Sequence, residues 1–143
     1  MPDIVQDFRI VASLDRVFDA ISTPAEMDRW WTLRSNGSRQ VGAAWELGFG
    51  PGHDWQATVT ACEPASTFEL TLTRADPDWT DTRIRFDLSR TAGGTQVRFR
   101  HQGWPAANDH FRVSCHCWAL YLRLLRRHVE HGEFVPYHRR LDA

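Results

Sequence analysis

A chain of 143 residues with 42% apolar and 24% charged side chains is expected to form one domain, residues 1–143, with a sizeable core. Its formal net charge of −1 excludes a global pull toward nucleic acid or an anionic membrane, and no stretch approaches the roughly eighteen apolar residues of a membrane span. MPDIVQDF lacks the basic-then-apolar pattern of a secretory leader, so a cytoplasmic setting is expected, with the odd set Cys62, Cys115 and Cys117 reduced.

Residues 4–12, IVQDFRIVA, are rich in β-branched and aromatic side chains and read as a first strand. Ser13 or Asp15 caps a short helix whose apolar face is Val17, Phe18 and Ile21. Thr23 caps a second short helix, with Pro24 in its first turn, running to Trp30. Residues 33–40 are polar, contain Asn-Gly and read as a loop. Period-two strands follow at 41–49, 55–62, 67–73, 82–89 and 95–102. Their inward sets include Trp45 and Leu47, Phe68 with Leu70 and Leu72, Ile84 with Phe86 and Leu88, and Val97, Phe99 and His101. Glu69, Glu46 and Asp87 have outward parity and are expected in solvent.

After Gly103-Trp104-Pro105 the period changes. Asn108 or Asp109 caps a long helix that Gly132 ends, with Phe111, Cys115, Trp118, Leu122, Leu125 and Val129 on one stripe. The last ten residues, FVPYHRRLDA, are expected to be loose. The order implies an α+β fold: a curved antiparallel sheet of about six strands wrapped around the long C-terminal helix.

The densest chemistry, HFRVSCHCW at residues 110–118, is not a metal site on this reading. Residues two apart on a helix lie about 200° apart around the axis, so Cys115 and Cys117 point to nearly opposite sides. Neither Cys-x-x-Cys nor His-Glu-x-x-His is present, and no metal or cofactor is expected. Neither His53-Asp54 nor His110 has supporting spacing. His101 is the one titratable group with clear inward parity; it is expected to satisfy a buried polar group, with acid–base catalysis as the alternative. Arg83, Arg85, Arg98 and Arg100 are expected to form a cross-strand charge ladder with acidic neighbours rather than a nucleic-acid surface. All 17 Lys/Arg positions are arginine, which removes lysine Schiff-base and amine-nucleophile chemistry.

The ordered set Val17-Phe18, Trp30-Trp31, Gly42 with Trp45, Glu63-Pro64, His101-Gln102-Gly103 and Trp118 resembles the START-like helix-grip (SRPBCC) superfamily. Within it, the pattern is similar to the branch of activator of heat-shock protein 90 ATPase homologues. The resemblance covers nearly the whole chain. It implies a cavity for a small hydrophobic or aromatic molecule between sheet and helix. The expected lining is Trp31, Trp45, Leu47, Phe68, Leu70, Phe86, Phe99, His101, Trp104, Phe111, Cys115, Trp118 and Leu122. A cyclase, dehydratase or hydrolase acting on such a molecule is the alternative, as is a chaperone-partner module. A chaperone partner is not expected, because the longer activators carry an added N-terminal domain for which this chain has no room. Self-association into a homodimer is left open.

Overall fold

In the computed structural model, which describes residues 1–143, the two periods of the sequence separate into a sheet and a helix. Strand β1 (Ile4–Ile10) is followed by helices α1 (Leu14–Ser22) and α2 (Pro24–Met27). Then come β2 (Arg34–Asn36), β3 (Ala44–Gly48), β4 (Asp54–Glu63), β5 (Thr67–Arg74), β6 (Arg83–Thr91) and β7 (Gly94–Gln102). Helix α3 (Asp109–His131) and a 3₁₀ segment (Tyr137–Asp142) complete the chain. The seven strands form one open antiparallel sheet in the order β1-β7-β6-β5-β4-β3-β2. Side chains that alternate inward meet α1, α2 and α3 in one core of 27 buried apolar residues.

Local chemistry sets the helix ends. Ser13 Oγ accepts from Arg16 N at 3.2 Å and starts α1. Thr23 occupies the N-cap position of α2, but its hydroxyl instead donates backward to Asp19 O at 2.7 Å. Asn108 Oδ1 accepts from Phe111 N at 2.9 Å and starts α3; Gly132, at φ +67°, ends it. Trp45 is seated by Gly37: a Cβ there would lie 2.4 Å from the indole. The Trp45 N–H donates to Ser38 O at 2.7 Å.

Helix α2 ends at Met27 instead of running to Trp30, and the structure departs from the sequence reading in four further places. The sheet has a seventh strand, because polar Arg34–Asn36 pairs with β3 although it carries no strand period. Strand β3 begins at Ala44, and Val41 stands exposed in the turn before it. Glu69 has outward parity but is 7% exposed, since Arg85 Nη1 at 3.3 Å and Thr60 Oγ1 at 2.7 Å close over its carboxylate. The C-terminal segment is not loose: Arg140 is 1% exposed and donates to Thr32 O at 3.0 Å, Asp28 O at 2.6 Å and Val135 O at 2.9 Å. Half of the expected charge ladder forms: Arg85 pairs with Asp87 and Glu69 and Arg98 with Asp7, while Arg83 and Arg100 make no ion pair, Arg100 standing opposite Arg85 in the register.

Candidate functional site

The interior between the sheet and α3 is filled by the protein's own rings. His101 is fully buried on β7, where strand parity aims it inward. The Trp118 indole N–H donates to its Nδ1 at 3.0 Å. Nε2 therefore carries the ring proton and donates to Thr82 Oγ1 at 2.7 Å, and that hydroxyl donates to Trp79 O at 2.5 Å. Burial, with a smaller contribution from the charge of His110, pushes the His101 pKa from 6.5 down to about 3. A neutral imidazole with both nitrogens committed is a structural connector. It has no free nitrogen for acid–base work.

Around it, Trp79, Trp104 and Trp118 pack at centroid distances of 4.5, 5.0 and 6.0 Å. Trp118 also meets Phe99 at 4.5 Å and Trp31 at 5.1 Å. Phe86 packs on Phe99, Trp45 on Phe68, and Phe111 on Trp104. Leu47, Leu70 and Leu122 are buried in the same core; Cys115 and Phe111 are half-buried against it. Cys115 and Cys117 do diverge: Cys117 lies on the open side of α3, and burial pushes both thiols up. No three His, Cys, Asp or Glu side chains gather as a metal site would need.

The open space lies beside this plug, at the mouth of the grip. It is a groove of about 300 Å³, and eight of its eleven lining residues are apolar. Each wall comes from a different element. Trp31 follows α2; Phe49, His53 and Trp55 come from the β3–β4 hairpin; Trp79 comes from the β5–β6 connection. His110, Val113, Ser114, Cys117 and Tyr121 form one face of α3, at spacings of three and four that place them in line. Tyr137, from the C-terminal segment, closes the end and donates to Phe49 O at 3.2 Å. Its rings are in mutual contact: Phe49 with Trp55 at 4.8 Å, Trp55 with Trp79 at 5.0 Å, and Trp31 with Phe49 at 5.4 Å. Burial pushes Tyr121 up to about 12, so its hydroxyl stays protonated. At the rim, His110 Nδ1 lies 3.0 Å from Asp78 Oδ2, which also accepts from Asn108 Nδ2 at 3.3 Å.

Of the thirteen residues expected to line a cavity, Trp31 lines this groove, and the rest form the packed layer behind and beside it. The other ten lining residues of the groove, Trp55, Trp79, His110 and Tyr137 among them, lie outside the expected set. Trp55 sits at a strand start and Trp79 in an irregular connection, where period carries no signal. Other depressions are larger but polar: one of about 460 Å³ on the outer edge of the sheet has Arg34, Glu46, Asp54 and Arg74 among its walls.

The family model described as "Activator of Hsp90 ATPase homolog 1-like protein" matches residues 11–130. The chain belongs to that family. The Aha1 dimer from Colwellia psychrerythraea, solved in solution, is 28% identical, with a TM-score of 0.84 over 93% of this chain and 99% of that one. A protein from Mesorhizobium loti is 19% identical, with a TM-score of 0.81 over 93% of this chain and 100% of that one. CalU16 from Micromonospora echinospora is 19% identical, with a TM-score of 0.74 over 98% and 81%. The last two likenesses concern the fold alone. No functionally curated protein matches the chain. Within this family member, no helix is long and apolar enough to cross a membrane.

Proposed function

We propose that the groove at the mouth of the helix grip binds a small, flat, aromatic or otherwise apolar molecule. The observation that carries this is the lining: Trp31, Phe49, Trp55, Trp79, Tyr121 and Tyr137 face one space of about 300 Å³. That volume is at the lower end for ligand pockets and suits one or two rings. Burying about 200 Å² of apolar ligand surface contributes roughly 5 kcal/mol before ordering costs. The indoles are already packed against one another, so little side-chain entropy is lost on binding.

Behind the groove, Trp118 and His101 hold Trp79 and Trp31 in place. Their role in binding is support. The helix-grip fold, shared with CalU16 and the Colwellia protein, favours a pocket between sheet and helix. A partner-binding module is the weaker reading, because the aromatic surface is concave.

Native mass spectrometry of freshly purified protein, against its denatured mass, tests the reading directly. An adduct released on denaturation is expected. Tryptophan fluorescence should also respond saturably to one- or two-ring aromatics, with weaker binding in Trp55→Ala. A bare mass together with unresponsive fluorescence across a panel of such molecules would sink the proposal.

A further inference from the structure

Binding alone gives no role to the Asp78–His110 pair at the rim. We propose that the groove is also a catalytic site, in which His110, held by Asp78, is the general base that moves an α proton on a neutral, aromatic-fused ketone. This inference rests on the groove being a ligand site.

The two imidazoles of this region have opposite surroundings. His101 is sealed and spends both nitrogens inside the protein. His110 lines the groove with its side chain 37% exposed, and Asp78 is 30% exposed. The pair joins the second residue of α3 to the β5–β6 connection across 32 positions of sequence. With Nδ1–H donating to the carboxylate at 3.0 Å, the neutral ring has Nε2 left as an acceptor for a bound molecule.

The pair is also held in place. Asn108 donates to the same carboxylate oxygen at 3.3 Å, and its own Oδ1 caps α3 at 2.9 Å. Trp104 packs edge-on against the His110 ring at 5.5 Å. Asp78 adjoins Trp79, so one short connection sets both the carboxylate and an indole of the groove wall. Ser114, four residues along α3, lines the same wall and supplies a hydroxyl donor.

The step is redox-neutral. His110 Nε2 takes a proton from the carbon next to a carbonyl. The C–H electron pair forms the new C=C bond, and the carbonyl π pair moves to oxygen, giving an enolate. The imidazolium, paired with Asp78, returns the proton to carbon or delivers it to oxygen as the enol. No co-reactant is consumed. No arginine lines the groove, which favours a neutral ketone over a keto acid.

The probe is 2-tetralone, an aromatic-fused ketone with exchangeable α protons. Its hydrogen–deuterium exchange in D₂O is followed by proton NMR with wild type, His110→Gln, Asp78→Asn and His116→Gln, the last on an exposed position of α3. Tryptophan fluorescence measures binding in parallel. Wild type should exchange the probe about 10²-fold faster than His110→Gln at equal occupancy. Asp78→Asn should fall between them, and His116→Gln should match wild type. If His110→Gln binds the probe and exchanges it as fast as wild type, the base is elsewhere and the groove remains a binding site only. If wild type neither binds nor exchanges the probe, the catalytic proposal falls; the binding proposal falls with it when the panel of aromatics is also without response and the native mass is bare. Should His110→Gln lose its near-UV circular dichroism, Asp78→Asn decides: unchanged exchange overturns the assignment, and slowed exchange with binding retained supports it.

Discussion

The Trp118 indole N–H donates to Nδ1 of His101 across 3.0 Å, and this one bond fixes the tautomer of the most deeply buried imidazole. With Nε2–H spent on Thr82, a second ring proton would displace the Trp118 bond and place a charge in the core. The protein therefore carries a built-in sensitivity to acid.

The sign follows from the pKa. Folded His101 titrates at about 3, against 6.5 for the free side chain. Below pH 6.5 the unfolded chain takes a proton that the folded chain refuses, so this contribution is complete above 6.5 and lost as pH falls toward 3. The slope is at most about 1.4 kcal/mol per pH unit for one group. Urea unfolding from pH 7.5 to 4.5 should show His101→Gln with a shallower acid loss than wild type. Parallel slopes would contradict the assignment.

Arg140 is expected to matter more than its terminal position suggests. Its three donations to the carbonyls of Thr32, Asp28 and Val135 need a planar fork. Arg140→Ala should cost about 2–4 kcal/mol in chemical unfolding, since charged-group hydrogen bonds to buried carbonyls are lost together. Arg140→Lys should recover less than half of that. Limited proteolysis should release the segment after Gly132 in both variants and spare it in wild type.

Groove and plug should separate under mutation. Trp55→Ala and Tyr137→Ala should each weaken aromatic binding at least about tenfold with little change in midpoint of unfolding. Phe99→Ala, which empties a fully buried site between Phe86 and Trp118, should instead cost about 3–5 kcal/mol of stability. Isothermal calorimetry with urea melts on the same samples distinguishes the two classes. Equal affinity losses without unfolding would place the ligand in the interior.

Gly37→Ala should unseat Trp45. The added carbon would meet the indole at 2.4 Å, and the ring is fully buried and bonded to Ser38 O. Overpacking of this kind costs about 1–3 kcal/mol. A thermal midpoint unchanged from wild type would show that the ring can move aside freely.

Much of this fold is legible in the sequence because period two and period 3.6 survive in it. Phe68-Leu70-Leu72, Ile84-Phe86-Leu88 and Val97-Phe99-His101 alternate cleanly, and every one of these side chains is buried as parity requires. Parity separates inside from outside, but it carries no measure of whether the inside is full. That is why the expected cavity lining became, Trp31 apart, the packed layer around the groove. What stayed hidden depends on distant pairing. The polar strand Arg34–Asn36 exists because β3 offers it partners. Asp78 meets His110, and Arg140 meets Thr32, across separations that no local pattern records.

The indoles that fill the grip also touch in sequence across it. Trp55 meets Trp79 at 5.0 Å, Trp79 meets Trp118 at 5.8 Å, Trp118 meets Trp31 at 5.1 Å, and Trp31 meets Trp30 at 6.2 Å. Chromophores this close share their excited states. Excitation passes between neighbouring indoles at these separations, so a quencher seated on Trp55 should lower the emission of the rings behind it as well. The core is thus an optical relay that needs no added dye.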